Sequence, residues 1–257
     1  MQESIDLNAD MGESFGPWKM GDDAALLDVV SSANIACGFH AGDADVMAAT
    51  IARAVANDVG IGAHPGFRDL QGFGRRRMDV PHATLANQVR YQVGAAQGMA
   101  RAAGGAVRHL KLHGALANMA SENENLARAC YEAALSVDPD IIIMVLAGTA
   151  QEAAARSLGA RMACEIFADR AYNADCTLVD RRQPGAVIHD ADRAAARILE
   201  MLRAGAIIAE DGTHIPTRID TICLHGDTPE AVAIARALRE GLEAAGVRIA
   251  RFEGARG

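Results

Sequence analysis

Residues 33–43 read ANIACGFHAGD, and the order of residue types there decides the fold. An apolar run, residues 33–37, breaks at Gly38, passes His40 and reaches Asp43, where a helical pattern opens. A short buried strand, a polar loop and a helix make one βα unit. The same order recurs along the chain. Residues 5–7 lead into NADMGE (8–13), residues 59–63 into His64-Pro65-Gly66, and residues 107–112 into His113-Gly114. Residues 141–146 lead into Ala147-Gly148-Thr149, residues 163–167 into Ala168-Asp169-Arg170, and residues 221–224 into His225-Gly226-Asp227. That makes about seven strands.

Helix ends are legible between them. Asp227-Thr228-Pro229-Glu230 supplies an N-cap followed by proline, residues 231–245 repeat apolar positions at helical spacing, and Gly246 closes the run. Gly205 ends another helix. No linker, composition shift or low-complexity stretch divides the chain, so residues 1–257 read as one domain. Regular βα alternation requires a parallel sheet covered by helices, either open and doubly wound or closed. Functional residue types follow nearly every strand here, whereas an open sheet gathers them at one switch point. The expectation is an α/β fold, a single-domain (β/α) barrel.

Composition narrows the function classes. Half of the 257 residues are hydrophobic and the formal net charge is −8, which describes a packed globular protein with no basic stripe for nucleic acid. The longest apolar run, residues 141–147, falls far short of the roughly 20 residues a membrane span needs. The first ten residues, MQESIDLNAD, hold acids and no apolar core, so a secretory signal is not read there and a cytoplasmic location is expected. Five scattered cysteines without a CxxC pair fit reduced thiols and exclude a zinc ribbon. A GxxxxGK[ST] loop, a completed GxGxxG and a GxSxG elbow are all absent, which argues against common nucleotide sites and a hydrolase triad.

The candidate chemistry lies at the strand ends. His40, His64, His113 and His225 each follow an apolar run, and Asp10, Glu13, Asp43, Asp169 and Asp227 occupy the same kind of position. A barrel brings such residues to one rim, as an acid-base constellation. Asp43 and Asp227 also suit helix capping, since each directly precedes a helix. Lys111 and Lys19 are the only lysines in an Arg-rich chain, and Lys111 stands two residues before His113, on the same strand face. The loop GFRDLQGFGRRRM, residues 66–78, reads as a glycine-rich anion grip carrying Arg75, Arg76 and Arg77, with one of the three a surface charge. No tight ligand spacing such as HExxH appears; a metal, if bound, is expected on Asp10, His40, His64 and His113.

Seven segments together resemble the LamB/YcsF lactam-utilisation family: IDLNADMGESFG from Ile5, SSANIACGFHAGD from Ser31, GIGAHPGFRDLQGFGRR from Gly60, HLKLHGALAN from His109, EIFADRAY from Glu165, RQPGAVI from Arg182 and CLHGDTPEAV from Cys223. The resemblance covers essentially the whole chain. It implies a seven-stranded barrel related to carbohydrate deacetylases and glycoside hydrolases. It also implies hydrolysis of the lactam 5-oxo-L-proline to L-glutamate, coupled to ATP cleavage, by one component of a 5-oxoprolinase that has separate B and C subunits. ATP is then a co-substrate, with Mg accompanying it, and an oligomer of this chain is left open. The chain departs from the family pattern at Leu112 (usually Pro), Ala117 (Tyr), Cys176 (Gly) and Glu230 (Gly), so no tyrosine hydroxyl acts at position 117.

An unstrained lactam is a poor electrophile, so phosphorylation of its amide oxygen would activate it for attack by water. On that scheme Asp10 or His64 is the general base, Lys111 with His113 stabilises oxyanion or phosphoryl charge, and Arg75 or Arg76 binds the substrate carboxylate. Glu13, His40, Asp169 and His225 complete the substrate-binding set. Two other readings stand beside it: a metal-dependent amidohydrolase or deacetylase working without ATP, and a non-catalytic subunit that only binds substrate.

Overall fold

The computed structural model describes residues 3–224 and 231–256. In chain order the elements are β1 (Ser4–Met11), α1 (Asp23–Leu27), β2 (Ser32–Ala36), α2 (Ala44–Ala56), β3 (Gly60–His64), α3 (His82–Ala102), β4 (Val107–Lys111), α4 (Gly114–Glu122), α5 (Glu124–Val137), β5 (Ile142–Leu146), α6 (Ala150–Ser157), β6 (Arg161–Phe167), α7 (Ala191–Ala204), β7 (Ala206–Ile208), β8 (His214–Pro216), β9 (Thr221–Leu224), α8 (Ala231–Ala244), β10 (Arg248–Ile249) and β11 (Ala255–Arg256). Strands β1 to β6 pair in sequence order, all parallel. Strand β9 then pairs with both β6 and β1, closing a seven-stranded barrel. The closed form is therefore the right one of the two the alternation allowed. No helix among the described residues is long and apolar enough to cross a membrane.

Local sequence explains the helix ends. Asp43 caps α2 by accepting from the Val46 N–H, and Asp190 caps α7 in the same way from Arg193. Gly205 ends α7 in the left-handed region at φ 59°, where a side chain would be strained. Asp227 and the cap expected around it lie outside the described residues.

Side chains alternate along each strand, and the two faces differ in character. Ile5, Leu7, Ala9 and Met11 of β1, Ile35 of β2, Leu110 of β4, Val145 of β5 and Ile222 of β9 join the apolar layer between barrel and helices. The other face is polar. Asp6, Asn8 and Asp10 of β1, Ser32 and Asn34 of β2, His109 and Lys111 of β4, Glu165 of β6 and Thr221 of β9 are all buried. They bond across the lumen: Lys111 Nζ of β4 reaches Asp10 of β1 and Cys223 of β9, strands that are not its neighbours. Buried polar groups must be bonded, and here a continuous network does it. His109 Nε2 is 2.8 Å from Asn34 Oδ1; Asn34 donates to Asn8 and Asp10; Asn8 donates to Thr221, and Thr221 to Asp6. Burial pushes Asp6 up to about 6 against the hydroxyls of Thr221, Ser31 and Ser32 that bond to it.

Strand β1 is longer than the apolar pattern implies. That pattern stops at Leu7, but the strand continues to Met11, so Asn8 and Asp10 are strand residues facing inward instead of loop residues. Below the network, Phe252 packs on Ile142, Met144 and Ala163 and meets the His109 ring edge-on.

Gly62 on β3 is what lets His109 lie flat in the lumen. A Cβ at Gly62 would overlap the His109 imidazole, and His109 is enclosed on every side. Gly62→Ala is expected to lose about 1–3 kcal/mol of stability, the usual cost of overpacking a filled core. Urea unfolding checks it; an unchanged midpoint would mean that the imidazole moves aside freely.

Candidate active site

A cavity of about 770 Å³ opens at the ends of the strands. Its walls include Asp10, Glu13, His64, Lys111, His113 and Glu165, with Arg75 and Arg170 further out. This is the end where parallel barrels carry their functional side chains, because every strand delivers its last residues there.

Lys111 is the electrostatic centre. Its Nζ lies 2.9 Å from Asp10 Oδ1, 2.8 Å from Glu165 Oε1 and 2.9 Å from Cys223 Sγ. Burial alone would lower its pKa, but the carboxylates of Asp10 and Glu165 outweigh that and hold the ammonium well above the ordinary lysine value. Burial raises Glu165 while Lys111 opposes the rise. Burial also drives the Cys223 thiol well above its usual range, so it stays protonated beside the lysine.

The histidines form a second group against Asp10. His64 Nδ1 meets the Lys111 carbonyl at 2.8 Å, and its Nε2 is 3.4 Å from Asp10 Oδ2 and 3.0 Å from His113 Nδ1. His113 Nε2 meets the Phe73 carbonyl at 2.9 Å. His40 stacks on His113 with ring centres 3.6 Å apart. Burial holds His40 and His113 well below the ordinary value, so both rings are neutral.

The glycine-rich loop serves these rings. Gly74, at φ 61°, packs where a Cβ would stand 2.7 Å from His40 Cβ and 2.8 Å from His113 Cδ2; a Cβ at Gly66 would stand 2.7 Å from His40 Nδ1. Gly66 and Gly74 thus give clearance to imidazoles, and Gly72 gives it to the Asp69–Arg76 pair. The arginines that follow diverge. Arg75 lies over the Phe73 ring and lines the cavity, Arg77 pairs with Glu122 at the cavity edge, and Arg76 is tied to Asp69 with its side chain 62% exposed.

Asp10, Glu13, His64, Lys111 and His113 therefore converge, together with Arg75. Arg76 does not share the cavity wall, because its carboxylate partner Asp69 holds it outside. His40 has no exposed surface and backs His113, which leaves it no direct substrate contact. Asp169 is buried past the end of β6, where its charge acts on Arg170 and Arg197. His225 lies outside the described residues. The metal set also shifts: the four donors that cluster are Glu13, His40, His64 and His113. Glu13 replaces Asp10 because Lys111 and Asn34 draw Asp10 toward the barrel axis. Glu165 is a site residue that the strand-end pattern misses, although a lone acid inside the run ACEIF is a signal of an inward-facing position.

The LamB/YcsF family pattern matches residues 5–257. A protein of Ruegeria pomeroyi named as the A subunit of 5-oxoprolinase is 70% identical over 249 residues, covering 97% of this chain and 98% of its own length. One of Nitrobacter hamburgensis with the same name is 52% identical over 254 residues, covering 98% and 100%. Among solved structures, a lactam utilization protein from Thermus thermophilus superposes with a TM-score of 0.91 at 42% identity, over 97% of this chain and 100% of that one. A putative cellobiose-phosphate cleavage protein from Enterococcus faecalis V583 shares the fold alone, at a TM-score of 0.55 and 12% identity, over 97% of each chain.

Proposed function

The chain belongs to the LamB/YcsF family, and from that premise we infer that it is the lactam-hydrolysing A component of a 5-oxoprolinase, one barrel domain over its whole length, converting 5-oxo-L-proline to L-glutamate. The observation that carries this is the 70% identity, over nearly the full length of both chains, to a protein bearing that 5-oxoprolinase name. The cavity agrees with it. One small lactam fills only part of about 770 Å³, which leaves room for a phosphoryl group on its amide oxygen.

In the hydrolysis, a water oxygen bonds to the activated carbonyl carbon, the ring C–N bond breaks, and the nitrogen takes up the proton that left the water to become the amine of glutamate, while a second water accounts for release of the phosphoryl group as phosphate. Asp10 is the base that receives the proton of that water, its Oδ2 facing His64 and its Oδ1 fixed by Lys111 and Asn34. The Lys111 ammonium offsets negative charge gathering on the carbonyl or phosphoryl oxygen. Arg75 binds the carboxylate that the lactam carries throughout. ATP, with its Mg ion, supplies activation and driving force by cleavage to ADP and phosphate. B and C partner subunits share that task, in the cytoplasm, a compartment consistent with five buried free thiols.

Release of glutamate and ADP, measured for this chain alone and then with its partner subunits, tests the reading. Coupled release of both products only in the assembled system is expected. Lactam hydrolysis by the chain alone without ATP would overturn the coupling, and assembled activity indifferent to the chain would overturn its role. A paired substitution tests the carboxylate contact. Arg75→Ala is expected to raise the KM for 5-oxoproline by about tenfold or more, the loss of a charge-assisted bond, while Arg76→Ala leaves it unchanged. Equal effects of the two would remove Arg75 from the role.

A further inference from the structure

Backbone carbonyls decide where two ring protons sit in the histidine group. A carbonyl oxygen only accepts, so the proton of His64 is on Nδ1, which donates to Lys111 O, and that of His113 is on Nε2, which donates to Phe73 O. The nitrogens left over are His64 Nε2 and His113 Nδ1. These two face each other at 3.0 Å. Lone pair against lone pair at that distance is repulsive until a positive species sits with them.

His40 adds an independent sign. Neither of its ring nitrogens has a hydrogen-bond partner, although the residue is 0% exposed. Its Nε2 is 3.8 Å from Glu13 Oε1, and His113 Nδ1 is 3.7 Å from the same oxygen. Buried polar atoms are rarely left unmatched without a reason. All four donor groups lie within 4.8 Å of one another.

We propose that Glu13, His40, His64 and His113 form a site for one first-row divalent cation of the zinc class. Tetrahedral ligands at about 2.0–2.1 Å from a common ion stand about 3.3 Å apart. The separations of 3.0, 3.7 and 3.8 Å bracket that figure, and His40 turns out of its parallel stack on His113 so that both lone pairs meet one ion. Three imidazoles and one carboxylate suit zinc, cobalt or nickel, whereas magnesium and calcium need oxygen donors. The site is therefore distinct from that of the Mg accompanying ATP. The carbonyl contacts of His64 and His113 are the outer partners that orient ligating rings. Glu13, His64 and His113 also line the cavity, so the ion is reachable from it. Holding the attacking water, as a fifth ligand added to the four-coordinate resting site, is its role, and that part rests on the hydrolytic reading above.

The full chain, stripped with chelator, is titrated with Zn(II) and Co(II) in the absence of lactam and ATP. One ion per chain is expected, with the intense visible absorption of four-coordinate cobalt. His40→Ala and His113→Ala are each expected to weaken uptake by about 100-fold, the upper end of what losing even an outer partner costs a metal site. The wild-type spectrum needs no variant to fold. No stoichiometric uptake, or a weakly coloured six-coordinate complex indifferent to His40→Ala, overturns the site and leaves a shared proton between His64 and His113. Because uptake is read without turnover, a chain that binds the ion but takes no part in lactam hydrolysis retires the function and keeps the site. The converse retires the site alone.

Discussion

Asp10→Asn in the assembled enzyme is expected to lower the rate of glutamate formation by about 10²–10⁴-fold, the range for removing a general base. The exchange preserves size and an oxygen to accept from Asn34 and Lys111, so the fold should survive. What disappears is the carboxylate facing His64 Nε2 at 3.4 Å. Lys111 keeps Glu165, so the lumen does not acquire an uncompensated cation. The measurement is kcat at saturating 5-oxoproline and ATP, beside circular dichroism to confirm folding. A rate within a few-fold of wild type would mean that the water proton leaves by another route, with His64 the next group to test.

Lys111→Met makes the second large demand, this time on stability. Asp10 and Glu165 are both buried and share this one ammonium. Removing it takes their shared ammonium from two enclosed carboxylates, and breaking a buried pair costs about 3–5 kcal/mol. Catalysis should fail as well. The electrostatic origin is separable from lost packing by adding Glu165→Gln. In the Lys111→Met background that change removes one uncompensated charge and should recover part of the loss, whereas in wild type it should destabilise or be neutral. Urea unfolding of the four proteins gives the coupling; two effects that simply add would remove the charge explanation.

Much of this arrangement is readable from residue order, and the unread part has a common cause. Each of the seven barrel strands overlaps an apolar run, since outward-facing residues such as Leu7, Ile35 and Val145 carry that signal. Two-residue spacing puts Lys111 and His113 on one face, and both line the cavity. Applied everywhere, the same spacing finds Asp6, Asn8 and Asp10 in IDLNAD, and His109 before Lys111. Asn8 and Asp10 read as loop because a polar residue after an apolar run reads as the strand's end. Asp6, His109 and Glu165 lie inside the runs, where a search of strand ends does not reach them. The exchange of Glu13 for Asp10 among the clustered donors is beyond any spacing rule, because it depends on Lys111 reaching across from β4. Arg76 misleads for a similar reason: neighbours in RRR look equivalent until Asp69 claims one of them.

The barrel keeps its two jobs on opposite sides of a single sheet. Grease outside, charge inside, means that a protein engineer has two nearly independent dials. Alanines and leucines between sheet and helices are the place to seek heat resistance, and exchanges there leave the reacting groups untouched. Along the axis, the polar residues from Asp6 to Lys111 are links in one hydrogen-bonded chain, so altered selectivity must come from swapping several links together.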